Sequence, residues 1–600
     1  MYRLTYYFTN GKSGIYIIFH EQLMNKLTVL IISILTAILI PSSVFSQDNF
    51  CNKKMAEEYL DKKGEVYFEF SIYDKEQINS LSLIISIDKV TDREVFAYAN
   101  KNEFEGFLKL NIPYYVLQHP GDAKFDVKMS DSPQGVLDWD AYPTYDAYVT
   151  MMNQFASSYP NLCQIVNIGQ TVQGRSLLFA KLKNNVGTAE GKPKVMFTSS
   201  MHGDEVTGYV LNLRLIDYLL TNFGTDPKAT SIMNNLEIWI NPLANPDGTY
   251  HGGNNTVNGA VRYNANGYDL NRNYPGVDGP NTNPIQPETQ EFMNAATSNY
   301  FSLSVNFHGG SEVVNYPWDS WSRFCTDDSW WIRVSRQYAD TVHAHAVAGY
   351  MTEENNGITN GYAWYYVRGS RQDYMCYYRH GRECTIEISI TKLLPPAQLP
   401  AHWDYNYRSF LNYMQAAFYG IRGTVTDSLT GAPLKSKVFI SGFDADSSEV
   451  YSDSLFGKYY RMIIQGNYSL TFSAPGYYSK TVSNVHAAND SATIVDVQLR
   501  QNTTGISQNG NTPNRFRLEQ NYPNPFNPET IINYQLPIDN YVRLDIYDIL
   551  GNKIATLVSQ KQNAGTYRVG WNASNYSSGV YFYRFESGQY TETKKMVLIK

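Results

Sequence analysis

The sequence predicts a multidomain chain. An α/β domain, with a mixed, mostly parallel sheet flanked by helices, is expected between an N-terminal β-rich domain and two C-terminal all-β sandwich modules. Three observations predict this. At 600 residues the chain is long enough for about three to five domains of ~100–200 residues each. Between residues 140 and 420, buried strand-like runs alternate with helical periodicity, whereas short β runs with Gly/Pro turns fill the stretch after it. With 43% hydrophobic and 18% charged residues, the chain can build ordinary cores, which excludes wholesale disorder.

The N-terminus reads as a targeting segment. From Met24, Lys26 precedes the apolar run Leu27–Ile40 and small residues at Val44 and Ser46. This predicts a secretory signal peptide over residues 1–46, cut after Ser46, with Met24 as the true start. A membrane anchor is the alternative. The run is short for a span of ~20 residues, and no other apolar run of that length follows, so no transmembrane span is expected in the mature form.

Residues 47–130 hold the runs "EVYFEFSI", "SLSLIISI" and "VFAYA" but no catalytic constellation, which suggests a propeptide or accessory domain. Residues 131–420 hold the helical "TYDAYVTMMNQFASSYP", the buried strands "KVMFTSS" and "LEIWINP", the helix "TGYVLNLRLIDYLLTNF" and the strand "FSLSVNFHGG". Strands alternating with helices imply a largely parallel sheet, and such sheets place ligands beyond the carboxyl ends of their strands. Residues 421–500 read as a β-sandwich, 501–515 as a polar linker and 516–600 as a last β module.

Composition narrows the function. Lys+Arg 49 against Asp+Glu 56 gives −7, with no basic excess to neutralise phosphates, so nucleic-acid binding is not expected as the main role. The 49 tyrosines in a charge-poor chain suit exported β-rich modules. Five scattered cysteines, Cys51, Cys163, Cys325, Cys376 and Cys384, make neither a disulfide scaffold nor a CxxC zinc site. A bridge from Cys325 to Cys376 or Cys384 is left open.

The chemistry-bearing residues gather in the α/β region. "KVMFTSS" runs into "MHGDEVTG", where His202 and Glu205 sit three residues apart in a turn and can reach one metal ion. Zinc accepts imidazole with carboxylate and keeps an open position when catalytic. His308 closes the strand "SLSVNF" and is the candidate third ligand. Each feature alone has a structural reading. Arg262, Asn271 and Arg272 lie in "VRYNANGYDLNRNYP", a pattern suited to binding a carboxylate or to a solvated loop. Glu387 interrupts the apolar run "CTIEIS", as a general base raised by burial or as half of a salt bridge.

In this order, HxxE, R-x-N-x-N-G-x-D-L-N-R-N, N-F-H-G-G, N-Y-P-W-D, G-I-T-N-G, Q-D-Y and T-I-E resemble the M14 zinc metallocarboxypeptidases, most closely their carboxypeptidase N/E/D branch, over roughly residues 140–420. The resemblance implies a Zn²⁺ cofactor, one per catalytic domain, held by His202, Glu205 and His308. It implies Glu387 as general base, Arg262 as oxyanion stabiliser and Asn271 with Arg272 as the clamp for the substrate's terminal carboxylate. Tyr365, eight residues before Asp373, falls at the family's mobile substrate-binding tyrosine. Gln372 and Asp319 match its two side-chain-selecting positions. An acid at Asp319 would favour C-terminal Lys or Arg, unless it faces solvent or caps a turn.

Residues 421–500 resemble the transthyretin-like sandwich of the same branch. Residues 516–600, with "NYPNPFNPETIINYQLP" and "TKKMVLIK", resemble the C-terminal sorting domain of type IX secretion. That implies a secreted or cell-surface protein of a Bacteroidota-like bacterium. Its expected partners are peptide or protein C-termini and the type IX secretion machinery. A zinc hydrolase of cell-wall peptides and a non-catalytic surface protein are the rival readings.

Overall fold

The computed structural model describes residues 42–72, 74, 76–91, 93–502, 513 and 515–600, with side chains from Asn52 onward. Most of the expected signal peptide and of the linker lies outside the described residues. Helix α1 (Ser42–Lys63) spans the expected cut after Ser46. Among the described residues, no helix is long and apolar enough to cross a membrane. The described residues fold as two compact units, one of those from 42 to 426 with 432–472 and 480–498, the other of 427–431, 473–479 and the described residues from 499 onward.

In the first unit, strands β1 (Glu65–Ser71), β2 (Ser86–Val90), β3 (Glu94–Asn100) and β4 (Tyr114–Val116) form an antiparallel sheet ordered β2-β3-β1-β4. Val66, Phe68 and Phe70 alternate along β1, and all three enter a core with Phe104 and Phe107 of helix α2 (Lys101–Leu108). Asn100 starts α2 with a capping box, its side chain accepting from the Glu103 amide while Glu103 accepts from the Asn100 amide. The domain is thus α+β, with a hydrophobic core of its own.

The catalytic region is built on one eight-stranded sheet. Its strands are β5 (Cys163–Gln170), β6 (Ser176–Leu182), β7 (Lys194–Ser199), β8 (Glu237–Asn241), β9 (Phe301–His308), β10 (Ser311–Tyr316), β11 (Ile358–Asn360) and β12 (Arg382–Ser389), ordered β11-β10-β12-β9-β7-β8-β6-β5. The inner run β8-β7-β9-β12 is parallel, while β10, β6 and β5 join antiparallel, so the sheet is mixed. Strand β7 shows why it needs cover on both faces. Val195 and Phe197 enter the larger core with helices α3 (Thr207–Thr221) and α4 (Leu399–Ala416), while Met196 enters a second core with Phe292 and Tyr374.

The bridge left open from Cys325 to Cys376 or Cys384 is not formed. Cys163, Cys325, Cys376 and Cys384 are all free and buried. Cys376 instead contacts the backbone of Glu383, and Cys384 donates to the Tyr413 hydroxyl at 3.2 Å. Proximity in a strand-and-helix core reflects packing of small apolar side chains rather than pairing.

Residues 420–499 form two four-stranded sheets, led by Gly420–Asp427 and by Gly466–Ser473. Arg461 ties these strands to the catalytic region through Asp327 at 2.8 Å, a carboxylate that Arg382 also holds at 2.7 Å. In the second unit, two sheets of three and four strands enclose Ile532, Tyr534, Leu544, Tyr583 and Phe585.

Phe307 on β9 is 1% exposed and packs on Phe197 and Phe410, with ring centroids 5.7 and 4.9 Å away. Replacing it by Ala is expected to destabilise the catalytic region by about 3–5 kcal/mol in urea unfolding. A loss below about 1 kcal/mol would contradict this central position.

Candidate metal centre and substrate cleft

The inner parallel strands end side by side, and their carboxyl ends carry the site. His202 and Glu205 occupy the turn after β7, His308 is the last residue of β9, and Glu387 lies on β12 directly beside His308 in register. Register therefore converts residues remote in sequence into neighbours.

His202 Nδ1 and His308 Nδ1 lie 3.0 Å apart. Glu205 Oε1 is 3.0 Å from the first and its Oε2 is 2.9 Å from the second. Three buried donor groups thus converge on one point, within 4.8 Å of one another. The far ring nitrogens are also engaged. His202 Nε2 meets Asp269 Oδ1 at 3.0 Å, and the Asn306 side-chain amide lies 2.6 Å from His308 Nε2. Such outer contacts turn both Nδ1 lone pairs inward and orient metal-binding imidazoles. Burial pushes His308 down to about 4, so its ring is neutral and ready to coordinate. Two imidazoles and a carboxylate with an open side suit zinc.

The cations stand around this point. Arg262 is 2% exposed, so the solvated-loop alternative does not hold for it. Its Nη1 meets Glu205 Oε1 at 3.1 Å, and its Nε meets Asp269 Oδ2 at 3.2 Å. Asn271 and Arg272 are 9% and 8% exposed. A short 3-10 turn at Leu270–Arg272 carries both, started by Asp269, which accepts from the Asn271 amide. Asn271 Oδ1 accepts from the Arg371 amide. Arg272 Nε has no partner among the described residues.

Glu387 forms no salt bridge among the described residues, and its Oε2 has no partner there. Burial, with the Glu205 carboxylate beside it, holds its carboxyl well above the ordinary carboxylate range. Asp319 is buried at the cavity wall, neither at the surface nor capping a helix. Its Oδ1 accepts from Asn315 Nδ2 at 3.1 Å and Gln372 Nε2 at 3.0 Å. Gln372 therefore stands behind Asp319 and also accepts from the Thr385 amide. Asp373 accepts from the Asp319 and Ser320 amides, which fixes the turn. Tyr365 lines the same cavity.

Comparison with known proteins agrees with this geometry. Residues 148–409 match the family described as Zinc carboxypeptidase. Carboxypeptidase M of Mus musculus is 31% identical over 360 residues, covering 56% of this chain and 79% of its own length. The chain belongs to the zinc carboxypeptidase family. The catalytic chain of carboxypeptidase N from Rattus norvegicus is 30% identical, covering 62% of this chain and 88% of its own. Carboxypeptidase D of Homo sapiens is 34% identical over 59% of this chain, which spans only 26% of that relative's length. Residues 420–500 match a Carboxypeptidase regulatory-like domain. Residues 520–600 match a Secretion system C-terminal sorting domain, which marks the chain for secretion or the cell surface.

The structure adds residues that sequence reasoning missed. Asp269 joins His202, Arg262 and the 3-10 turn, and its signal was its place inside the D-L-N-R-N motif. Lys392 meets Glu205 Oε1 at 2.9 Å, five residues beyond Glu387. Asp88 comes from the N-terminal domain, and its only sequence signal was a charge ending an apolar run.

The zinc-loaded protein is expected to hold one zinc per chain by atomic absorption. His308→Ala should lower that to well under half after dialysis. Unchanged zinc content in the variant would show that the metal binds elsewhere.

Proposed function

We propose that the protein is a secreted metallocarboxypeptidase that removes single C-terminal residues from peptides or proteins, with preference for Lys and Arg. The observation that carries this reading is the convergence of a metal-fitting triad, an unpaired buried acid and two arginines on one cavity. Zinc, when bound by His202, Glu205 and His308, supplies Lewis acidity and lowers the pKa of water at its open position.

The other groups have work fitted to their positions. Glu387, raised by burial, accepts the proton of the attacking water and returns it to the leaving amine. Arg262 has a fixed guanidinium beside the triad and stabilises the negative charge that develops on the scissile oxygen. Arg272 and Asn271 bind the terminal carboxylate. An internal peptide bond offers no charge to Arg272, and a buried unpaired guanidinium is costly. That selects exopeptidase action. Tyr365 closes over the bound residue. Asp319 at the cavity wall favours a cationic side chain, and Gln372 holds it in place. The sorting domain is read by the type IX secretion machinery, and residues up to 46 serve as the signal peptide.

The test is release of the terminal residue from N-acylated dipeptides ending in Arg, Lys, Phe or Glu, with and without a zinc chelator. Chelator-sensitive release with Arg and Lys at least tenfold above Phe is expected. Asp319→Asn should lower kcat/KM for Arg by about 10–100-fold, the range of one desolvated charge contact, and leave Phe within a few-fold. Release of Phe alone would remove the basic preference. Activity confined to wall peptides would redirect the substrate class. Glu387→Gln should lower kcat by about 10²–10⁴-fold with zinc content unchanged. A variant retaining full kcat would exclude Glu387 as the base.

A further inference from the structure

A second cavity lies at the other end of the eight-stranded sheet. Its volume is about 850 Å³, within the about 300–1,000 Å³ of small-molecule sites. Its floor is the sheet where the parallel strands begin: Lys194 opens β7, Glu237 opens β8 and Ser302 is second in β9. Its other wall is the sandwich, through Lys435, Tyr451 and Tyr460. Ser302 and His308 stand near opposite ends of β9, about 20 Å apart at ~3.3 Å per residue, so an occupant here does not touch the triad.

Charge is unbalanced in this cavity. Six cations and three carboxylates line it, and the carboxylates are engaged. Glu190 meets Lys192 at 2.6 Å and Lys183 at 3.2 Å. Glu237 accepts from Trp239 Nε1 at 2.9 Å and meets Lys194 at 3.5 Å. Asp453 accepts from the backbone amides of Leu455, Phe456 and Lys458. Lys181, Arg379 and Lys435 form no ion pair among the described residues, and Arg379 Nε is buried with no partner there. Ser302 adds a neutral group. The register of β9 against β7 shifts between Phe301 and Leu303, a bulge that sends those two side chains into opposite cores and leaves Ser302 without a partner on β7. Ser302 is 2% exposed, and its Oγ has no hydrogen-bond partner among the described residues. A buried hydroxyl without a partner is costly, and a ligand oxygen removes that cost.

We propose that this cavity is a second ligand site, which binds an acidic sugar: a short sugar bearing carboxylate or phosphate groups. The site is independent of the carboxypeptidase reading above. Lys181, Arg379 and Lys435 face the acid groups, and Ser302 Oγ meets a ring or hydroxyl oxygen. The half-buried rings of Tyr300, Tyr451 and Tyr460 offer apolar faces to the C–H side of a sugar. Two of these rings are held in place, with the Tyr300 hydroxyl donating to the His380 carbonyl at 2.9 Å and the Tyr460 hydroxyl to the Gly191 carbonyl. An extended peptide fits less well. Such peptides are read by backbone bonds to an open strand edge, whereas here the sheet offers its face, with Gln164 and Val166 two apart on β5 and Glu237 and Trp239 two apart on β8.

Isothermal titration calorimetry of the zinc-loaded full chain tests this with five probes: trigalacturonate, glucose 6-phosphate, neutral maltotriose, inorganic phosphate and a Glu-rich peptide. At least one of the two acidic sugars should bind with a Kd below about 1 mM, and at least tenfold tighter than the other three probes. The tighter of the two identifies carboxylate or phosphate as the acid group. The double variant Lys181→Gln/Lys435→Gln, checked by thermal unfolding, should bind that sugar at least tenfold more weakly. Lys435 is exposed on the sandwich, so Lys435→Gln alone, with a loss of at least threefold, decides the matter if the double variant does not fold. Smaller losses overturn the proposal, as does the absence of saturable binding by both acidic sugars. Binding of phosphate, maltotriose or the peptide within tenfold of the better acidic sugar also overturns it, since the cavity would then read charge, sugar or peptide alone.

Discussion

Arg262 is the residue on which the rest of the site depends. A guanidinium buried to 2% exposure is tolerable only when its donors meet charge. Its two nitrogens reach Asp269, Glu205 and Asp88, one carboxylate at the start of the 3-10 turn, one from the metal-fitting triad and one from the N-terminal domain. Asp269 in turn orients His202 and starts the turn that carries Asn271 and Arg272. A single cation thus ties the metal-fitting triad, the 3-10 turn and the N-terminal domain together. Displacing it would strand several buried anions together.

Parallel strands supply the platform. Because β7, β9 and β12 run together, the turn after β7 and the ends of the other two meet at one edge, whatever the sequence distance between them. The alternation along β9 adds a second effect. Leu303, Val305 and Phe307 enter the large core, while Asn306 and His308 share the opposite phase, so a strand that anchors the fold also delivers a ligand and its orienting amide.

Much of this was legible in the sequence, and the reasons differ by residue. His202, Glu205, Arg262, Asn271 and Arg272 sit in short local motifs whose spacing is itself the chemistry. Glu387 was visible as an acid inside an apolar run, where burial without a partner demands a role. Asp88 and Lys392 were not legible as site residues, because nothing local to them signals a contact across 174 and 187 residues of chain. The Cys325 pairing stayed open for the same reason, since cysteine count says nothing about which thiols face each other. The N-terminal domain read as β-rich because its strands alternate clearly, while its helices are short. Its contact with the cleft is made by β2, whose local sequence carries no signal of it.

The most direct test of the account concerns what the arginines read. Two peptides identical in sequence and ending in Arg, one with a free carboxylate and one as the amide, are offered to the zinc-loaded protein. Release from the free acid is expected at least a hundredfold faster than from the amide, because a buried charge left unpaired costs about 2–5 kcal/mol. Equal cleavage of both, or cleavage within the chain, would contradict it.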